Sequence, residues 1–153
     1  MGREDFCGVK RQRSFSPLKP IASMQKRTID PWPWGLHTNS VQAVEIKQPE
    51  GTLYCSGQVA IDAQGQPSAA DMRTQFQLTL QNLEQLIRES GYECAGIVRL
   101  NVFTTSIQEF FTTCVDLYQG WVAEHGLRQA TTLVEVKGLY ATLTVEVEAT
   151  VVK

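Results

Sequence analysis

Residues 143–152 alternate without a break: Leu143, Val145, Val147, Ala149 and Val151 fall on one side of an extended chain, and Thr144, Glu146, Glu148 and Thr150 on the other. Successive side chains of a strand point to opposite faces, so this run predicts a strand with one face in a core and the other carrying carboxylates. A second β-rich run, 131–136, precedes it across a Lys137-Gly138 break, and the two read as a paired terminal hairpin. Nearer the start, runs 41–46 and 52–61 flank a Pro49-Glu50-Gly51 turn and predict an opening hairpin. Residues 97–105 predict a further strand, with Val98, Leu100 and Val102 on one face.

Helical spacing takes over between these strands. Met72, Phe76, Leu80, Leu83 and Ile87 form one stripe, with Ser68 or Asp71 available as N-cap and Gly91 as terminator. Ser106-Ile-Gln-Glu109 has the capping-box form and opens a second helix that turns Phe111, Cys114, Tyr118 and Trp121 inward and closes at Gly126. His125, at that helix's end, reads as a structural cap. The predicted order is ββαβαββ, an α+β fold with both helices on one face of a mixed sheet. Strand faces holding Leu53, Cys55, Phe103, Leu133 and Glu135 are then left uncovered, and further copies of the chain are the expected cover.

Composition narrows this picture. A chain of 153 residues with 42% hydrophobic side chains suits one well-cored domain and is short for two. Residues 1–29 read as a basic tail rich in Lys, Arg, Ser and Pro, and residues 30–153 as the folded domain. Seven of the 14 Lys and Arg, but only three of the 16 Asp and Glu, lie in the first 30 residues, leaving seven against 13 and a net of −6 in the remainder. A nucleic-acid-binding body needs cations for phosphates, so nucleic acid is not an expected partner. No run approaches the ~20 apolar residues of a membrane span and no signal-peptide core is present, so no membrane partner and a cytoplasmic location are expected.

Cysteines 7, 55, 94 and 114 show neither CxxC nor His-rich spacing, which predicts free thiols, with no metal site and no disulfide framework. No cofactor is expected either. Cys55 reads as a small core residue, since no His is placed to activate it. Prolines make 30–40 an extended lead-in, where Trp32, Trp34 and His37 either wall a pocket or cap the core.

Leu53-Tyr-Cys-Ser-Gly-Gln-Val59, Val98-Arg-Leu-Asn-Val-Phe-Thr104, Val134-Glu-Val136 and Val145-Glu-Val-Glu-Ala149 carry a resemblance in their order and spacing. Together they resemble the RidA/YjgF family of reactive-intermediate (enamine/imine) deaminases, over roughly residues 30–152. The resemblance implies a chorismate-mutase-like (YjgF-like) fold that closes into a homotrimer, its sheets forming a central barrel. A cleft between adjacent subunits would take a small organic ligand such as a 2-oxo acid or an imine.

Residue by residue, the resemblance implies that Gly57 lies with its backbone against the ligand and that Leu133 contributes main-chain contact. It gives Glu146 the role of orienting or activating the hydrolytic water. Thr131 falls where family deaminases carry the arginine that grips the substrate carboxylate. Ser40 takes the tyrosine position of a G-P-Y-S-Q-A segment whose end matches Gln42-Ala43, and Trp34 is a further candidate for the pocket wall. The asparagine of the second helix is missing, with Cys114 or Val115 in its place. Glu135 and Glu148 read as structural.

A threonine hydroxyl offers one neutral hydrogen bond where a guanidinium makes a charged pair, and each charged bond is worth about 1.5–3 kcal/mol. Arg128 cannot stand in, because an odd slip of three residues in a strand reverses the face and moves the side chain about 10 Å. The expected function is an imine or enamine hydrolase of altered substrate, neutral or charged elsewhere. The alternative is a non-catalytic, regulatory or scavenging small-molecule-binding trimer. An endoribonuclease or translation-inhibitor role is disfavoured by the acidic body.

Overall fold

The computed structural model describes residues 23–153, which form β1 (Gln25–Ile29), β2 (Ala43–Lys47), β3 (Thr52–Val59), α1 (Met72–Glu89), β4 (Ile97–Thr104), α2 (Ile107–Thr113), α3 (Val115–Glu124), β5 (Ala130–Glu135) and β6 (Val145–Val152). The main sheet has the order β3-β6-β4-β5, antiparallel except for the parallel pair β4-β5, so the fold is α+β with a mixed sheet. The strictly alternating run is an inner strand, β6, whose Val145, Val147, Ala149 and Val151 are buried while Glu146, Glu148 and Thr150 are half-buried.

Two predicted pairings are overturned. β5 and β6 are not a hairpin, because β4 lies between them. A parallel neighbour of β4 has to arrive through a crossover, and α2 and α3 supply it, placing β5 at the sheet edge. Residues 136–144 then carry the chain past the end of β4, pinned where the Gln75 side chain donates to Thr142 O and accepts from Thr144 N. The expected opening hairpin is also absent: β2 pairs with β1, and β3 pairs with β6. Gln25–Ile29 belongs to a strand rather than to the predicted tail, in register from Gln25 opposite Lys47 to Ile29 opposite Ala43. The rest of the predicted tail up to residue 22 lies outside the described residues.

Helix α1 keeps its predicted stripe. Met72, Phe76, Leu80, Leu83 and Ile87 are buried, Asp71 accepts from Thr74 N at 2.9 Å as N-cap, and Gly91 follows the last turn at φ +75°. The bond to Thr74 holds the Asp71 carboxyl below its usual range. A depressed carboxyl stabilises the folded state above its unfolded pKa and loses that contribution as pH falls through the folded value. Asp71→Ala is therefore expected to lower the urea midpoint at pH 7 and to change it little in strong acid.

The single second helix of the prediction is two, broken at Cys114, whose φ of −120° is not helical. Five bonds explain the break. Arg73 of α1 donates to the Thr113 carbonyl and to both oxygens of Asp116, while the Thr112 and Thr113 hydroxyls donate back to Gln108 O and Glu109 O. Phe110, not Phe111, faces inward: it is 3% exposed and meets Phe76 edge-on at 5.0 Å, while Phe111 is 60% exposed. Both positions satisfy helical spacing to Cys114, and contact with α1 decides between them.

The core lies between the helices and one face of the sheet. Ladder partners share a face, so Thr131, Leu133 and Glu135 sit on the helix side with Leu100, Val102 and Thr104. Of the five residues expected to need outside cover, Phe103 alone lies on the other face of the sheet. Leu53, Cys55, Leu133 and Glu135 are on the helix side, where the Glu135 carboxylate accepts from Ile107 N at 2.8 Å and caps α2. The opposite face carries Tyr54, Phe103 and Val134 among Arg99, Asn101, Thr132 and the β6 carboxylates.

Candidate functional site

A pocket of about 420 Å³ opens beside the edge strand β5, between the lead-in segment and the α2–α3 crossover. Thr131 and Leu133 form its floor on the sheet, and Trp34, His37 and Ser40 line it from the lead-in. Phe110, Phe111, Val115 and Tyr118 close it from the helices. Trp32 and Trp34 stack at 5.8 Å and are 52% and 59% exposed, so they do not cap the core, and Trp34 is a pocket residue. Asp30 accepts from Gln42 N at 2.9 Å and Val41 N donates to Gln129 O at 2.9 Å, which ties the lead-in to the start of β5.

Behind two of the lining residues, Tyr118 and Thr131, stands a residue that sequence reasoning missed. Gln129 is fully buried, and its Nε2 lies 3.0 Å from Asn39 O, 2.9 Å from Tyr118 Oη and 3.1 Å from Thr131 Oγ1. Tyr118 Oη and Thr131 Oγ1 are 3.0 Å apart. Burial pushes the Tyr118 hydroxyl above its ordinary range, with the bonds to Thr131 and Gln129 opposing, so it stays protonated near neutrality. Tyr118 reads from sequence as a core residue; its ring is one, and its hydroxyl belongs to the pocket. Among the described residues no Lys or Arg lines this pocket. Arg128 instead faces Asp30 at 3.5 Å and lines a separate hollow of about 350 Å³.

Glu146 and Gly57 meet elsewhere. A Cβ added at Gly57 would overlap the Glu146 carboxylate, so glycine is what allows that side chain to lie over β3. Burial pushes the Glu146 carboxyl above its usual range, with Glu148 adding to the shift. Glu148 itself accepts from Asn101 Nδ2 at 3.1 Å, and Arg99 donates to Asn101 Oδ1 at 3.0 Å and to Thr132 Oγ1 at 2.6 Å. Register fixes the relation of the two groups: Leu100 pairs with Thr131 and with Ala149, whereas Glu146 pairs with Phe103. Thr131 and Glu146 are thus on opposite faces of the sheet with β4 between their strands. The sequence-based expectation that they share one hairpin is overturned for the same reason as the hairpin itself.

The remaining polar candidates are structural. His125 Nε2 lies 3.1 Å from Glu84 Oε1, which also accepts from the Trp121 indole, and so joins α3 to α1. Cys55 and Cys114 are buried and raised in pKa by that burial, and Cys94 is pushed up to about 11, so none is a ready thiolate at neutral pH.

A mixed sheet with its helices on one face and a ligand-sized pocket under the edge strand defines a YjgF-like α+β protein. Residues 37–153 match the family described as endoribonuclease L-PSP, and the chain belongs to this family, RidA/YjgF. It is 28% identical over 114 residues to the 2-iminobutanoate/2-iminopropanoate deaminase of Salmonella typhimurium, an alignment covering 74% of this chain and 86% of that one. Among solved structures, YyfB of Yersinia pestis, a Rid-family protein, superposes with a TM-score of 0.74 at 27% identity over 84% of this chain and 98% of its own. Escherichia coli TdcF with bound serine superposes with a TM-score of 0.62 at 27% identity, over 74% of this chain and 87% of its own.

Proposed function

We propose that this chain forms a homotrimer that hydrolyses the C=N bond of a small imine or enamine in a cleft shared between adjacent subunits. One wall is the Thr131, Leu133, Ser40 and Trp34 pocket of one copy, and the other is Gly57 and Glu146 of its neighbour. The observation that carries this reading is the placement of the two groups on opposite faces of one sheet. No single chain can bring them to one ligand, whereas a second copy packed against the open face can. Support comes from relatives named as deaminases and from the serine bound in TdcF.

In this reading Glu146 takes a proton from water as its oxygen adds to the imine carbon, and the nitrogen takes up a proton. The carbinolamine then collapses: the C–N bond breaks, ammonia leaves and a carbonyl remains. A carboxyl raised towards neutrality by burial is suited to carry that proton in both directions.

Glu146→Gln tests the role, because Gln keeps the shape and loses the basic oxygen. Benzylamine oxidised by a flavin-dependent amine oxidase releases an uncharged imine, and its hydrolysis should be accelerated by the unmodified chain and fall by roughly 100-fold in the variant. Turnover of 2-aminoacrylate, released by a serine dehydratase, should stay low because no Lys or Arg among the described residues lines the pocket. The variant should also be the more stable protein at neutral pH. A raised carboxyl costs stability as pH climbs from the ordinary glutamate value through the raised one, and Gln removes that cost. Loss of turnover in a stabilised protein identifies Glu146 as the proton carrier; binding with no turnover in the unmodified chain identifies a scavenging or regulatory trimer instead.

A further inference from the structure

We infer that the Thr131 pocket selects an uncharged ligand, a flat apolar body bearing one carbonyl-type oxygen, and that the Thr131–Tyr118 hydroxyl pair donates the hydrogen bond that recognises it. The inference rests on the shared-cleft reading only for the contribution of Glu146. A count of hydrogens carries the rest. The Gln129 amide nitrogen has two hydrogens, and Asn39 O, which can only accept, takes one and fixes the orientation of the amide. The second goes to Tyr118 Oη or Thr131 Oγ1. Those two hydroxyls bond to each other, which uses one of their two hydrogens. The other has no acceptor among the described bonds, and whichever hydroxyl carries it belongs to a residue lining the pocket.

The pocket therefore presents a donor in search of an acceptor. A carboxylate would satisfy that hydrogen but would find no permanent cation to pair its charge, since among the described residues no Lys or Arg lines the cavity. Any Glu146 brought by a neighbouring copy adds a negative charge and opposes an anion further. Trp34, Phe110, Phe111, Val115 and Leu133 offer flat and apolar walls, and about 420 Å³ accommodates a single-ring molecule. A neutral amide, lactam or ketimine precursor fits this chemistry; an amino-acid-derived anion does not.

Benzamide and benzoate share a shape and differ in charge, which makes them the probes. Calorimetry on the full chain should give benzamide an affinity at least roughly 10-fold above that of benzoate, with the Trp34 indole N–H moving in protein-observed NMR. Thr131→Val combined with Tyr118→Phe keeps both outlines and removes both hydroxyls, and with them the spare hydrogen, since either hydroxyl alone would still carry it, and the double variant should weaken benzamide about 5-fold. Benzoate binding as tightly as benzamide, an unaltered benzamide affinity in the variant, or no binding of either probe would each overturn the inference. Sedimentation of the same samples reads the shared cleft separately: a monomer that still prefers benzamide removes Glu146 from the site and leaves the selectivity of the pocket standing.

Discussion

Thr131→Arg is expected to convert the pocket into one that holds small 2-oxo acids, with an affinity roughly 10- to 100-fold above that of the unmodified chain. One charge-assisted hydrogen bond contributes about 1.5–3 kcal/mol and each 1.4 kcal/mol is tenfold, which sets that range. The substitution is tolerable where it stands. Thr131 lies on the edge strand facing an open cavity, and removing its hydroxyl leaves the Gln129 amide still donating to Tyr118 Oη at 2.9 Å, with the Tyr118 hydroxyl hydrogen freed towards the pocket. The arginine would then supply the permanent cation that the lining lacks among the described residues. Calorimetry with pyruvate reads the gain directly. The double variant Thr131→Arg with Glu146→Gln should bind pyruvate equally well and fail to turn over 2-aminoacrylate, which separates grip from proton transfer.

Phe76→Ala is expected to have the largest effect on stability, lowering the free energy of unfolding by about 3–5 kcal/mol. Phe76 is fully buried in the second turn of α1, meets Phe110 edge-on, and packs in the cluster that joins α1 to β4 and β6. A small ring-shaped void there cannot be refilled by Met72 or Leu80 without disturbing the sheet beneath, and native domains carry a margin of only about 5–15 kcal/mol. Urea unfolding at fixed protein concentration measures it, the concentration being held because assembly would add to apparent stability. Phe111→Ala, at the adjacent but exposed position, should cost little and instead alter the rim of the pocket.

These two phenylalanines show where the sequence was legible and where it was not. Local signals held: the α1 stripe, the Asp71 cap, the Ser106 cap and the alternation of β6 are written in residues that lie within a turn or two of one another, although the Ser106 N–H bonds to Thr104 rather than closing a box with Glu109. Choices made by distant partners were not visible. Phe110 and Phe111 satisfy one periodicity equally, β5 and β6 look like neighbours until β4 is placed between them, and Gln25–Ile29 has no apolar alternation to mark a strand that β2 completes. The same division runs through the site. Glu146, Gly57, Thr131 and Leu133 were reachable through motif order, and alternation alone put Glu146 on the carboxylate face. Gln129 was not reachable, because nothing in a glutamine ahead of a β-branched run says that it will be buried against a tyrosine eleven residues upstream rather than exposed.

The shared cleft is the central claim, and the assembly state of the full chain tests it most directly. Sedimentation equilibrium at micromolar concentration should give a species of three times the 17.1 kDa chain mass, and a species of a single chain mass would contradict the account.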